Sequence, residues 1–172
     1  INRIVQRSAD PEKAELIGDR IARFWPVGAD QPGLPSFVLE KPWQATGPIP
    51  SLWLLKPKFS QTDNRQFVYL ELPPEADLYG TGEVTGRLLR NGCKIELYNK
   101  DNYCYGKPDQ LYQSHPWVMG VRQDGSAFGV IFDTPWMARL DLREGILFSV
   151  PKEAPPFPVL VIEADDPGQA MS

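Results

Sequence analysis

The sequence predicts a mainly β fold, a sandwich of antiparallel strands preceded by one short amino-terminal helix. Three observations carry that expectation. Apolar residues recur with a period of two in several separate segments, as they do in strands with one wet face. Tight-turn dipeptides, Asn91-Gly92 and Asp124-Gly125, lie between strand candidates. Proline (18) and glycine (14) are abundant in a chain of 172 residues, which suits many turns and few helices. That length is enough for one domain with a proper core.

The helix is expected over residues 10–24. Asp10 is a good N-cap, Pro11 suits the first helical position, and Glu12 complements the positive end of the dipole. Ala14, Ile17, Ile21 and Phe24 follow at spacings of three and four, which places them on one helical face. Pro26 and Gly28 end it, and a stretch rich in proline and glycine, 26–35, leads away. The period then changes to two. Val68, Leu70 and Leu72 alternate with Phe67, Tyr69 and Glu71. Ile95 and Leu97 alternate with Lys94, Glu96 and Tyr98, and Ala138, Leu140 and Leu142 alternate with Arg139, Asp141 and Arg143. Residues 127–132 are apolar on both faces and read as a central, doubly covered strand. Asn91-Gly92 and Asp124-Gly125 read as hairpin turns, and Glu144-Gly145 as a third turn. Short strands at hairpin spacing, with no second long helix, argue for a sandwich rather than a βαβ fold.

Charge and composition narrow the function. The net charge is −4, and lysine and arginine are dispersed, so no nucleic-acid partner is expected. No apolar stretch approaches the ~20 residues that a membrane helix needs, so no membrane partner is expected either. Cys93 and Cys104 make neither a disulfide framework nor a metal-ligand spacing, which fits a reduced, cytoplasmic protein without a cofactor. The start, Ile1-Asn2-Arg3, carries no Met and no signal-peptide hydrophobic region, and reads as a cut boundary. The last strand candidate is 159–163, after which Asp165, Asp166 and Pro167 look like the start of a linker or helix.

The chemistry-bearing stretch runs from Tyr79 to Thr134. Gly80 and Gly82 could suggest a phosphate-cradling loop, but that loop needs a following helix whose free N–H groups face the phosphate. Leu88, Leu89 and an Asn-Gly turn follow instead, so the glycines read as places where another backbone comes close. Further on, Asn99, Asp101 and Asn102 interleave with Tyr98, Tyr103 and Tyr105. Amides and carboxylates beside aromatic rings suit sugars, whose hydroxyls want polar partners and whose C–H faces pack on rings. The same Asn/Asp cluster also suits plain turns.

Taken in order, Tyr79-Gly80-x-Gly82-Glu83, Asn99-x-Asp101, Leu111-Tyr112-Gln113-Ser114-x-Pro116 and Gly129-Val130-x-Phe132-Asp133 resemble the N-terminal domain of glycoside hydrolase family 31, the family of α-glucosidases and α-xylosidases. Residues 1–60 carry little of the resemblance. It implies a β-sandwich of the galactose-mutarotase-like type beside a (β/α)8 barrel that bears two catalytic aspartates and retains anomeric configuration. Retention needs two carboxylates ~5 Å apart. The family's nucleophile motif, Trp-x-Asp-Met-Asn-Glu, does not occur here, so the chain by itself is expected to be inert.

The resemblance also implies that a loop after the Asn-x-Asp strand reaches over the barrel mouth on the aglycone side. It thereby makes Asp101 the expected substrate contact, with Asn99 supporting it and Tyr103 and Tyr105 as pocket wall or loop packing. The family usually has Trp where this chain has Tyr98. His115, the one histidine, is not expected to be catalytic, and its solitude weighs against a mutarotase or epimerase, whose ring opening uses histidine with a carboxylate base. Trp25, Trp43, Trp53, Trp117 and Trp136 are expected to fill the core or cover the barrel side rather than bind sugar.

The expected organisation is thus a helix and leader packed on the sandwich (1–30), the sandwich (31–164) and the start of a linker to a catalytic barrel (165–172). The expected partners are that barrel and, in the intact enzyme, an α-glucoside. The competing expectation is a free-standing carbohydrate-binding or structural module, with residues 98–105 as its site.

Overall fold

In the computed structural model, residues 2–29, 44–73, 75–99 and 112–172 are described. Short helices stand at the two ends, α1 (Asn2–Val5) and α2 (Pro167–Met171). Between them, among the described residues, lie eleven strands: β1 (Lys13–Leu16), β2 (Ile21–Trp25), β3 (Lys58–Gln61), β4 (Arg65–Leu70), β5 (Asp77–Gly82), β6 (Lys94–Leu97), β7 (Ser114–Val121), β8 (Ala127–Phe132), β9 (Ala138–Asp141), β10 (Ile146–Pro151) and β11 (Val159–Ala164). They form two antiparallel sheets, one in the order β1-β2-β11-β8-β7-β5 and one in the order β3-β4-β10-β9-β6.

Alternation sorts each strand's side chains between the core and the outside. Val68 and Leu70 on β4, Ile95 and Leu97 on β6, and Leu140 on β9 all point inward and are buried. From the six-stranded sheet, Phe24, Val118, Phe128, Val130, Phe132, Val159 and Val161 meet them in one continuous cluster. Its centre is aromatic. Phe132 and Phe148 lie parallel with ring centroids 4.0 Å apart, and Phe157 meets Phe148 edge-on at 5.7 Å. Strand β8 is buried along both faces and sits between β7 and β11, as its unbroken apolar run predicts.

Two expectations are corrected. Residues 10–24 are not a helix but the β1–β2 hairpin, with Ile17 N–H bonded to Ile21 O at 2.9 Å. The core takes Ala22 and Phe24, two residues apart, while Ile21, Arg23 and Trp25 face the other way. β2 pairs with β1 on one side and with β11 on the other, and that double pairing overrides the local helix signals at Asp10–Glu12. Second, Asn91-Gly92 makes a turn but not a hairpin. The flanking strands β5 and β6 belong to different sheets, and the turn carries the chain from one to the other. Asn91 fastens the crossing by accepting from Leu78 N–H and donating to Ala76 O, both at 2.8 Å.

The other turns fall where expected. Asp124-Gly125 joins β7 to β8, and Glu144-Gly145 joins β9 to β10. Residues 165–172 include α2. Asp166 caps it by accepting from Gln169 N–H at 3.0 Å, Pro167 opens it, and Ala170 packs against Ala127 and Ala164.

Candidate functional site

The ends of β6 and β7 and the β8–β9 connection meet at one edge of the sandwich. They line a cleft of about 420 Å³ with Leu97, Tyr98, Asn99, Ser114, Thr134 and Trp136 among its walls. β6 belongs to one sheet and β7 to the other, so the cleft opens where the two sheets part.

Each wall has a local cause. Tyr98 and Asn99 follow β6 directly, and Tyr98 is left 51% exposed. On the β8–β9 connection, buried Thr134 donates its N–H to Phe132 O at 2.7 Å, and its hydroxyl accepts from Trp136 N–H at 3.3 Å. Pro135 stands between them. This tight bend turns the next two side chains outward, leaving Trp136 41% and Met137 50% exposed. On the β7 side, Ser114 N–H donates to Asn99 Oδ1 at 2.8 Å.

The glycine pair of the first motif does what a strand reading predicts. Gly80 and Gly82 sit in β5 with φ of +102° and +88°. A Cβ on Gly80 would stand 2.8 Å from Trp117 O, and one on Gly82 would stand 2.8 Å from His115 N and press into Gln113 O. The start of β7 therefore lies directly on these glycines, and the ladder is irregular between them. Thr81, caught between, is fully buried at φ +74° with its hydroxyl unpartnered among the described residues. Buried Arg90 holds the following loop with its guanidinium, donating to Arg87 O at 2.6 Å and to Gly80 O and Val84 O at 3.3 Å.

Of the expected site residues, Asn99 lies on the cleft wall, whereas Asp101 and Tyr103 lie outside the described residues, as do Tyr105, Cys104 and Trp43. His115 is exposed at the start of β7. Trp117 lies over Gly129 and against Gly80, spanning three strands. Thr134, Met137 and Arg90 were not singled out by the sequence. The run Thr134-Pro135-Trp136 after an apolar strand was the available signal for the first two, while Arg90 gave none. Among the described residues, no three His, Cys, Asp or Glu side chains gather as metal ligands would, and no helix is long and apolar enough to cross a membrane. An amide, three hydroxyls and two aromatic rings around one cleft can hydrogen-bond and stack, but they include no carboxylate pair for acid–base work.

Comparison with known proteins agrees with this architecture. The family described as the glycosyl hydrolase 31 N-terminal galactose mutarotase-like domain matches residues 29–141. Over 72 residues, 40% of this chain, the sequence is 44% identical to alpha-glucosidase 2 of Bacillus thermoamyloliquefaciens, of which it covers 9%. A solved family 31 α-glucosidase from Bacteroides thetaiotaomicron is 45% identical with a TM-score of 0.56, over 65% of this chain and 19% of that one. A GH31 dextranase from Flavobacterium johnsoniae superposes over 92% of this chain and 24% of its own, with a TM-score of 0.71; at 17% identity it shares the fold. The chain thus spans less than a quarter of the length of each of these relatives. Both sheets, the seated glycines and the family match lead to one assignment: this chain belongs to the N-terminal galactose-mutarotase-like domain family of glycoside hydrolase 31.

Proposed function

We propose that this chain is the non-catalytic N-terminal domain of an α-glucosidase that removes terminal α-linked glucose with retention of configuration. In this reading it buttresses a catalytic barrel of the same polypeptide and supplies the segment after Asn99 to the aglycone side of the pocket. Asp101 accepts a hydrogen bond from a sugar hydroxyl there, and Tyr103 forms pocket wall. The observation that carries the reading is the identity of 44% and 45% to two α-glucosidases, far above the level at which only the fold is shared. The cleft at the end of β6 supports it, because residues 100–111 join the two strands that form its walls. The retaining reaction requires two carboxylates ~5 Å apart, which the barrel supplies. The isolated chain is accordingly expected to turn over no aryl α-glucoside.

The test is Asp101→Ala in the full-length enzyme. Loss of a hydrogen bond to a charged acceptor costs about 1.5–3 kcal/mol, so kcat/KM for maltose falls roughly tenfold or more. An aryl glucoside, which offers fewer aglycone hydroxyls, suffers less, and the thermal midpoint stays put. A lowered midpoint with unchanged kinetics would make Asp101 a turn cap. Tight binding of α-glucans by the isolated chain would favour a free-standing binding module.

A further inference from the structure

Asn99 sits at a junction that no strand pairing supplies. β6 ends at Leu97 in the five-stranded sheet, and β7 begins at Ser114 in the six-stranded one. Across that gap the Ser114 N–H donates to Asn99 Oδ1 at 2.8 Å. The bond joins the side chain before residues 100–111 to the backbone just after them, and both partners line the cleft.

The donor's position is itself fixed from behind. Ser114 pairs opposite Gly82, and Glu83 N–H donates to Gln113 O at 2.7 Å. Gly82 permits this approach because it has no Cβ to meet Gln113 O and His115 N. Arg90 in turn donates to the carbonyls of Gly80 in β5 and of Val84 and Arg87 in the loop that follows, so one guanidinium ties that loop to the strand. The start of β7, seated on β5, thus presents the Ser114 N–H, and Asn99 receives it. In this bond Asn99 uses its side-chain carbonyl oxygen, since an N–H donor requires an acceptor.

We infer that Asn99 is a positioning residue, a clasp that holds the two ends of segment 100–111 together through the Ser114 N–H, and not a sugar ligand. The inference rests on the reading of the chain as part of an α-glucosidase pocket, because it assigns Asn99 to holding what Asp101 is proposed to present. The chemistry separates the two roles. A clasp needs an acceptor oxygen, which aspartate provides as well as asparagine. A sugar ligand whose amide donates to a hydroxyl loses that donor in aspartate.

The experiment uses the full-length enzyme with Asn99→Ala and Asn99→Asp, and Asp101→Ala alongside. Two quantities are read: hydrogen exchange of the Ser114 amide and kcat/KM for maltose. Asn99→Ala is expected to speed Ser114 exchange about three- to tenfold, the loss of one neutral hydrogen bond, and to lower kcat/KM about tenfold through misplacement. Asn99→Asp is expected to keep both within about twofold of wild type, since its oxygen replaces the one lost. Unchanged Ser114 exchange in Asn99→Ala overturns the clasp. So does faster exchange with unchanged kcat/KM, which leaves the bond without a role in the reaction. Protected Ser114 in Asn99→Asp with kcat/KM as low as in Asn99→Ala overturns it in favour of a direct sugar contact. Wild-type kcat/KM in Asp101→Ala with the expected Asn99 pattern strikes the assignment of Asp101 and leaves the clasp standing, so the two failures are distinguishable.

Discussion

Single residues decide how closely β5 and β7 approach one another beside the cleft, and Gly82 is one of them. Its φ of +88° lies in the left-handed region, and the space a Cβ would fill is taken by the backbone of Gln113 and His115. Gly82→Ala combines the steric cost of that φ, about 1–2 kcal/mol, with an overlap that only a backbone shift relieves, roughly 1–3 kcal/mol. The expected outcome is a loss of about 3 kcal/mol in the chain's unfolding free energy by urea titration. Gly86→Ala serves as the control, since its φ is +99° but nothing lies within 4 Å of its Cβ position. It should lose only the first of the two contributions, and equal losses in both variants would show that crowding by β7 is unimportant. The close approach at Gly80 and Gly82 was legible in the sequence, because two glycines followed by no helix have few other uses. Arg90 was not. Its value lies in three carbonyls that a folded loop brings round one guanidinium, and nothing in its neighbours announces that.

At the scale of elements, the strands with one wet face were legible and the first hairpin was not. β4, β6 and β9 follow from alternation, and the doubly covered β8 from its unbroken apolar run. In residues 10–24 the apolar spacing fits a helix as well as a hairpin, and the arbiter is β11, far away in sequence, which gives β2 its second partner. The hairpin also has an electrostatic fastening that no helical reading contains. Glu15, almost buried, receives Arg23 at 2.6 Å and Lys13 at 2.8 Å. Burial on its own would raise the Glu15 carboxyl, but the hydrogen bonds from Lys13 and Arg23, with their charges, outweigh it and hold the group below the ordinary value of 4.5. The folded chain therefore keeps this carboxylate ionised at a pH where the unfolded chain has begun to protonate. Its contribution is complete above the unfolded value and is lost as pH falls through the folded one. Replacing it with a neutral amide removes that linkage. Between pH 6 and pH 3, roughly the interval spanning the carboxylate's titration, wild type should lose more unfolding free energy than Glu15→Gln. Parallel curves would show that the cluster does not link folding to protons. Asp141 contributes the same slope to both proteins, since its bond from Arg143 lowers it too.

For the whole molecule, period and turn chemistry predict a sandwich, yet they do not say which strands share a sheet. Asn91-Gly92 shows why: the dipeptide fixes a local reversal, while the partner of each strand is settled by packing across the core, where Leu78 on β5 and Ile95 on β6 enter from opposite sheets. The same limit applies to surfaces that await a partner. The last strand is packed away, with Val159, Leu160 and Val161 buried, so it offers little apolar surface for a neighbouring domain. Trp136 and Met137 offer more, because the Thr134 bend turns them out beside exposed Tyr98. In the isolated chain the exposed part of Trp136 faces water, and truncating it forfeits only the ring area already covered by the sandwich. If a barrel covers the remainder, Trp136→Ala costs more in the full-length enzyme. An indole side chain of about 200–250 Å² that is 41% exposed has roughly 100 Å² left to bury, worth about 2 kcal/mol. Thermal midpoints of the chain and of the full-length enzyme, each with and without Trp136→Ala, measure the difference. A larger fall for the transition that unfolds this domain in the full-length enzyme is the expected result. An equal fall in both would place the barrel contact away from the cleft and leave Trp136 an exposed wall of the candidate sugar site.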